Sequence, residues 1–467
     1  MKMGVVLSGR ILEGIYVSKT HKCGMQFTYK VHIPACCEGR DECALLVTHD
    51  GLNAVNAYAI EVLEKTGEAP PCITVGVDPA TQPSELAWGR ERDRRIDSYD
   101  YFTAAYPDFI VEELIPFLTE TYGLKISSNP DMHMASGGSS GGISAWNMAW
   151  QRNDYFRRVY MSSPTFSAMG NGNSYPVLIR KTETKPIRVY EEYSEDEPND
   201  YFGCSYCAAL EGERALAFAG YDMTCKYFPG EDHCSRRKHL ESAIERMRVL
   251  WKDWQTQPIV VKALSKRAAK IISKDEPWEE IDAPFPPKVP CVLPKMHGVR
   301  GEYLFSNREI FLQTEQGRRV VADGFQSVSA IAISADKCRL YIADRMAGCV
   351  YRMEITKDGG LKGKHIQSVL HLSTDFKTPG ATDLCVDDGD RIFAATELGV
   401  QAIRSYGLID VILPLPDRCI PEHVAFGESD PDYLYAYAKG RVFRRHLVQG
   451  HAADPEEATE PRNDNYY

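Results

Sequence analysis

Between about residue 25 and residue 255, short apolar runs alternate with stretches whose apolar positions recur at helical spacing. FTYKVHIP and ALLVTHDG predict strands, NAVNAYAIEVLEKTG a helix, CITVGVD a strand and DFIVEELIPFLTETYG a helix. The pattern continues with MHMAS as a strand, a helix beginning near Ser140, the strands RRVYMSSP and PIRVYEEY, the helix AALEGERALAFAGYD, the strand TCKYF and a last helix, LESAIERMRVLWKDW. Regular alternation of this kind implies a mostly parallel sheet with helices on both faces, because parallel neighbours need a crossover that covers the sheet.

Past Trp254 the rhythm stops. SKDEPWEEIDAPFPPKVPCVLPKMHG is rich in proline and charge and predicts an extended linker. Beyond residue 300, EYLFSN, RLYIAD, RIFAAT and YLYAYA are short apolar or aromatic strands, each followed after a turn by a second: REIFLQ, GCVYRMEI, GVQAIRS and GRVFRRHL. About four such repeats match the blades of a β-propeller. The expected organisation is an α/β domain over residues 1–256, a linker over 257–299, a reduced propeller over 300–448 and a polar, disordered tail over 449–467.

Composition narrows the function classes. The 467 residues carry a formal net charge of −11, which argues against nucleic acid as a partner. The first residues lack the apolar core of a secretory signal, and no run reaches membrane-spanning length, so a soluble cytoplasmic protein is expected. Scattered through such a chain, the 14 cysteines read as reduced and mostly buried. Cys204 and Cys207 form a CxxC, but one such pair without further ligands does not make a zinc site.

The chemistry concentrates in MHMASGGSSGGISAWNMAW. Gly137-Gly138-Ser139-Ser140-Gly141 fits G-x-S-x-G, the strand-to-helix elbow that presents a nucleophilic serine in α/β-hydrolases. A frame one residue later would present Ser140 instead. We take Ser139 as nucleophile, leaving the Ser140 N–H at the helix start to face a developing oxyanion. In such a fold the acid follows a later strand and the histidine precedes the last helix. PIRVYEEYSEDEPND offers Asp196, Glu197 and Asp200, and KYFPGEDHCSRRKHL offers His233, with His239 as a rival placed at or inside the helix.

With those residues in hand, the segment from about residue 8 to residue 256 resembles the enterochelin-esterase-like group of α/β-hydrolases, relatives of feruloyl and acetyl-xylan esterases. The likeness rests on THDG, IVEELIPFLTETYGL, ASGGSSGGISAWNMAWQRNDYFRRV, YPVLIRKTETKPIRVY and ALAFAGYD. It implies Ser139 as nucleophile and His233 as base, and it sets the family's acid turn on Ser194-Glu195-Asp196-Glu197, so that Glu197 stands for the usual aspartate and Asp200 is second choice. Where relatives carry a glycine-rich histidine loop, this chain has Glu231-Asp232-His233-Cys234 and two arginines. An acid beside the base is expected to raise its pKa. The second oxyanion N–H is expected from Gly51 or Leu52 in VTHDGLN, with His49 and Asp50 structural. Arg90, Arg94 and Arg95 in RERDRR are candidates for binding a substrate carboxylate or sugar hydroxyls, against the plainer reading of a surface salt-bridge run.

The second half, roughly residues 300–447, resembles the closing blades of gluconolactonases, whose propellers hold a divalent metal. The resemblance places Asp383 on a metal ligand, with Ser329 and His423 where other polar ligands would stand. A lone carboxylate makes no oxygen cage, so a binding or structural role is expected. An incomplete ring exposes strand edges, which suggests cover by a second copy, a homodimer. The resulting expectation is a cofactor-free serine esterase acting on a small acyl or aryl ester, of a sugar or siderophore-like compound. The alternatives are a lapsed binding or scaffold protein and a metal-dependent lactonase.

Overall fold

The structure, a computed structural model, describes residues 5–20, 24–82, 92–293, 300–373, 380–427 and 430–448. Arg90 and the expected tail at 449–467 lie outside the described residues. The chain divides into two compact units, Met1–Arg180 with Thr184–Ala263, and Lys181–Glu183 with Leu264–Tyr467.

The first unit is built on a ten-stranded sheet. Its strands are β1 (Arg10–Val17), β2 (Gln26–Ile33), β3 (Ala44–His49), β4 (Cys72–Val77), β5 (Thr81–Gln82), β6 (Arg92–Asp93), β7 (His133–Gly138), β8 (Arg158–Ser162) and β9 (Arg188–Asp196). A small hairpin of β10 (Asn199–Asp200) and β11 (Gly203–Cys204) follows, and β12 (Asp222–Asp232) closes the sheet. The order is β12-β9-β8-β7-β3-β4-β2-β5-β6, with β1 on β2. Every pair from β12 across to β4 is parallel. Strands β3, β4, β7 and β8 are buried along their whole length, which explains their unbroken rather than alternating apolar pattern. One face is covered by the helices Ala54–Glu64 and Leu240–Leu250, whose Ile60, Leu63, Met247 and Leu250 pack on Leu46, Met134 and Tyr160. The α/β class and mostly parallel sheet expected from the alternation are observed, and the sheet fits the α/β-hydrolase fold expected from the elbow.

Two departures have local causes. The helix expected over DFIVEELIPFLTETYG begins as a π-helical stretch, Phe109–Leu114, before Ile115–Tyr122 continues it. Pro116 has no N–H for the carbonyl four residues back, and the wider turn accommodates that loss. The strand β1 was not anticipated. It pairs only with β2, and its outward residues Ile11, Ile15 and Val17 are exposed, so its pattern lacks a clear buried face.

The second unit consists of antiparallel sheets arranged as propeller-like blades. The four hairpins read from the sequence are Gly301–Phe305 with Ile310–Thr314, Arg339–Asp344 with Cys349–Ile355, Ile392–Thr396 with Gly399–Ile403, and Tyr433–Ala438 with Arg441–His446. In the last three blades each hairpin forms the second and third strands, behind Val328–Ile333, Ala381–Val386 and His423–Phe426. The stretch expected as a free linker does more than connect. Glu279–Ile281 pairs with Arg441–His446 as the outer strand of the last sheet, and Ala268, Ile271, Ile272 and Trp278 enter the core with Phe393, Val411 and Leu434. Sparse apolar residues among prolines carry no periodic signal, which is why the sequence reading missed them.

Candidate active site

Ser139 stands between β7 and the helix Ser140–Gln151 at φ 57° and ψ −127°, a strained conformation for a residue with a side chain. Its N–H donates to Ser162 O at the end of β8 (2.9 Å), and its carbonyl receives Gly142 and Ile143 N–H (2.8 and 3.1 Å). The glycines make this turn possible. A Cβ on Gly137 would lie 2.0 Å from Gly141 O, an overlap of backbone on side chain that no rotamer relieves.

The loop expected to supply the second oxyanion N–H leaves the end of β3. Asp50 and Gly51 adopt positive φ, 59° and 79°, and turn the chain over Gly76 of β4, where a Cβ would lie 2.2 Å from Leu52 N. Of the two expected donors, Gly51 is committed: its N–H donates to Val77 O at 3.1 Å. Leu52 N–H has no acceptor among the described residues. Ser140, as the first helical residue, has an N–H without an intrahelical partner.

Strand register joins the acid to the histidine. Strands β9 and β12 run parallel, and after an irregularity past Phe228 Asp232 pairs with Asp196. The residues just past the two strand ends are then Glu197 and His233, and His233 Nδ1 is hydrogen-bonded to Glu197 Oε2. The Glu197 side chain is only 1 % exposed. Ser163 Oγ donates to its other oxygen, and Ser194 N–H does so at 3.0 Å. Burial works to raise the Glu197 pKa, but the hydrogen bonds from His233, Ser163 and Ser194 hold it below the usual carboxylate value. Asp200, the second choice, is exposed and caps Phe202 N–H instead (2.8 Å). His239 is the N-cap of the last helix.

Burial disfavours a charge on His233, yet its interactions with the Cys234 thiol and the Glu197 carboxylate outweigh that and raise its pKa to about 10. The direction matches the expectation from the sequence, but the source differs. Glu231, two residues before His233, is turned to Ser235 Oγ and Arg236 Nε (2.6 and 2.7 Å). No hydrogen bond joins Ser139 Oγ to His233 in this structure. What ties the two loops together is the Ser162 carbonyl, which accepts from Ser139 N–H and from Cys234 Sγ (3.4 Å), while Cys234 N–H donates to Ser163 Oγ (3.1 Å).

Of the three candidate arginines, Arg94 is spent locally on Asp97 and Gln82, and Arg90 lies outside the described residues. Arg95 forks onto Asp50 at 2.9 and 3.1 Å. Three residues at this place have no role assigned from the sequence: Ser163, Cys234 and Arg237. Ser163 follows β8 at φ 46° and Cys234 follows the histidine at φ 57°; positive φ at a residue with a Cβ has no sequence signature. A basic run gave no sign that Arg237 alone turns inward.

His49, expected to be structural, lies in the core. It is fully buried, with Nδ1 on Ser136 O (3.0 Å) and Nε2 on Ser144 Oγ (3.1 Å), and burial pushes its pKa down to about 4. In the second unit the Asp383 carboxylate is taken up by the Lys288 ammonium, by Leu384 and Val424 N–H (2.9 and 3.2 Å) and by His423 Nδ1 (3.4 Å). Ser329 Oγ donates to Ala381 O (2.6 Å). A carboxylate so occupied does not present the open oxygen set a divalent ion needs. Among the described residues no helix is long and apolar enough to cross a membrane.

Residues 20–283 match the family model described as "Putative esterase". No curated protein matches the chain. Among solved structures, the chain is similar to a ferulic acid esterase, with 15 % identity and a TM-score of 0.39 over 53 % of this chain and 99 % of that one. It is also similar to the enterobactin esterase of Shigella flexneri, with 15 % identity and a TM-score of 0.41 over 53 % of this chain and 60 % of that one. A gluconolactonase from Xanthomonas campestris is similar over 31 % of this chain and 46 % of its own, with 17 % identity and a TM-score of 0.27.

Proposed function

Since the chain belongs to the esterase family, we propose that it is a serine-dependent carboxylic-ester hydrolase acting on a small acyl or aryl ester, of a sugar or siderophore-like compound. The observation that carries this reading is the hydrogen bond between His233 Nδ1 and an enclosed Glu197, on the loop that meets the strained Ser139 turn through the Ser162 carbonyl. With Nδ1 held by the carboxylate, Nε2 is the ring nitrogen left to serve the nucleophile.

In the proposed cycle, Ser139 Oγ attacks the ester carbonyl as His233 Nε2 takes its proton. The N–H groups of Ser140 and Leu52 receive the oxyanion, since Gly51 already serves Val77. The imidazolium returns the proton to the leaving alkoxide, and water repeats the sequence on the acyl-enzyme. Glu197 stays ionised throughout and orients the ring. Because the base works only in its neutral form, the pKa of about 10 places most of the resting enzyme in the wrong protonation state at pH 7.

Turnover of p-nitrophenyl acetate by the wild type and by Ser139→Ala tests the reading, with a loss of about 1,000-fold or more expected. Equal rates would remove Ser139 from the mechanism. The second reading, a binding protein on a lapsed hydrolase fold, is favoured by the protonated His233 and the missing Ser139–His233 hydrogen bond. A fluorophosphonate probe separates the two, because a working elbow is labelled at Ser139 and a lapsed one is not.

A further inference from the structure

We infer that Arg237 forms an anion subsite beside the nucleophile, so that preferred substrates are esters carrying a free carboxylate a few bonds from the scissile carbonyl. This rests on the serine-esterase reading and narrows its substrate class.

The geometry begins at the elbow. A Cβ on Gly138 would lie 3.1 Å from Arg237 Cδ and 3.4 Å from Nε, so the arginine lies against the residue immediately before Ser139. Its Nη2 donates to His49 O at 2.7 Å, and Nη1 stands 3.7 Å from Asp50 Oδ2. That carboxylate is already held by the two-pronged contact from Arg95. One anion therefore faces two guanidinium groups, and Arg237 has the longer, weaker share.

The other charges nearby do not make up the difference. Glu197 is the counter-ion of His233. Asp100, the other carboxylate in this region, interacts with Arg95 and not with Arg237. Nε of Arg237 has no acceptor among the described residues. With its side chain 17 % exposed, the guanidinium is largely withdrawn from water yet open to a small ligand. A partly desolvated, under-neutralised guanidinium is a strong binder of planar carboxylates. In a protein of net charge −11, a spare cation placed at this point is a local exception that bulk composition does not explain.

The test uses the full-length protein and a matched pair, mono-p-nitrophenyl terephthalate and its neutral methyl ester, chosen because the para carboxylate cannot reach its own scissile carbonyl. The wild type is expected to favour the free acid in kcat/KM by about 10- to 100-fold, the range of a charge-assisted hydrogen bond. Arg237→Gln should bring that ratio to about one, with Arg237→Lys keeping part of it. A loss of support at the His49 carbonyl would slow both esters together and leave the ratio unmoved, so the ratio isolates recognition from a structural effect. No preference in the wild type, or a preference that survives Arg237→Gln, overturns the inference. Calorimetry of both esters on Ser139→Ala reads the subsite without turnover. If no ester is cleaved and fluorophosphonate does not label the wild type, the esterase reading fails, while discrimination between the esters that disappears in Ser139→Ala/Arg237→Gln still upholds the subsite and its persistence there rejects it.

Discussion

His49 lies against Gly141 and the His233 loop meets Gly138 through Cys234, so both border the Ser139 turn, and each is hydrogen-bonded through Nδ1, yet their chemistry diverges. His49 is fully buried between Ser136 O and Ser144 Oγ, with no carboxylate on its ring, and its pKa falls to about 4. His233 has an enclosed carboxylate on Nδ1 and a thiol beside it, and its pKa rises to about 10. Ser144 is within hydrogen-bond reach of His49, but that ring lacks the carboxylate partner that the proposed mechanism requires. The ring that can hold and release a proton is the one with an acid behind it and a face toward solvent.

The comparison is broken most decisively by removing each ring in turn. His233→Asn should lower p-nitrophenyl acetate turnover by about 1,000-fold or more, with a part of the stability lost as well because the enclosed Glu197 is left without its counter-ion. His49→Ala should instead lower stability by about 2 to 3 kcal/mol, through two lost hydrogen bonds and a buried void, measured by denaturant unfolding. Comparable loss of activity at unchanged stability in both variants would erase the distinction. Gly137→Ala attacks the turn they flank. With Cβ 2.0 Å from Gly141 O, it should cost about 3 kcal/mol and activity with it.

The opposite pKa shifts predict opposite pH limbs. The His233 pKa lies above the ordinary value of 6.5, so its contribution to stability is complete below pH 6.5 and is lost as the pH rises through about 10. The His49 pKa lies below 6.5, so its neutral form costs nothing above that pH, and stability drains as the pH falls from 6.5 toward 4. Unfolding free energies across pH should show His233→Gln flattening the alkaline limb and His49→Gln the acid limb. For activity the sign reverses on the alkaline side: kcat/KM should climb from pH 7 toward pH 10 as His233 deprotonates, and Cys234→Ala should move that rise to lower pH. An activity profile flat over this range would refute the protonated resting state. The smallest effect belongs to Ser163→Ala, which leaves one Glu197 oxygen short of a donor and should reduce kcat by about 10-fold or less.

Much of this architecture was legible before any coordinates. Strands β2, β3, β4, β7, β8, β9 and β12 and the helices between them follow from apolar runs and helical spacing, and the elbow from glycines that only a tight turn requires. Glu197 came from matching a family turn without gaps, whereas spacing alone left Asp196, Glu197 and Asp200 open. The linker reading missed Trp278 and Ile271, because burial there comes from the sheet they meet and not from a periodic pattern of their own. Gly51 was a plausible oxyanion donor until the position of Val77 O showed its N–H in use.

Local sterics and periodicity are written in the order of residues, so the chain by itself determined the α/β alternation, the repeated hairpins and the serine on a glycine-flanked corner. Which carboxylate reaches His233 was decided by the pairing of β9 with β12 and the irregularity before Asp232, a register between residues 36 apart in the chain. The protonation of His49 and His233, and the placing of Arg237 against Gly138, were likewise tertiary decisions. Burial and charge proximity depend on distances that chain order does not encode.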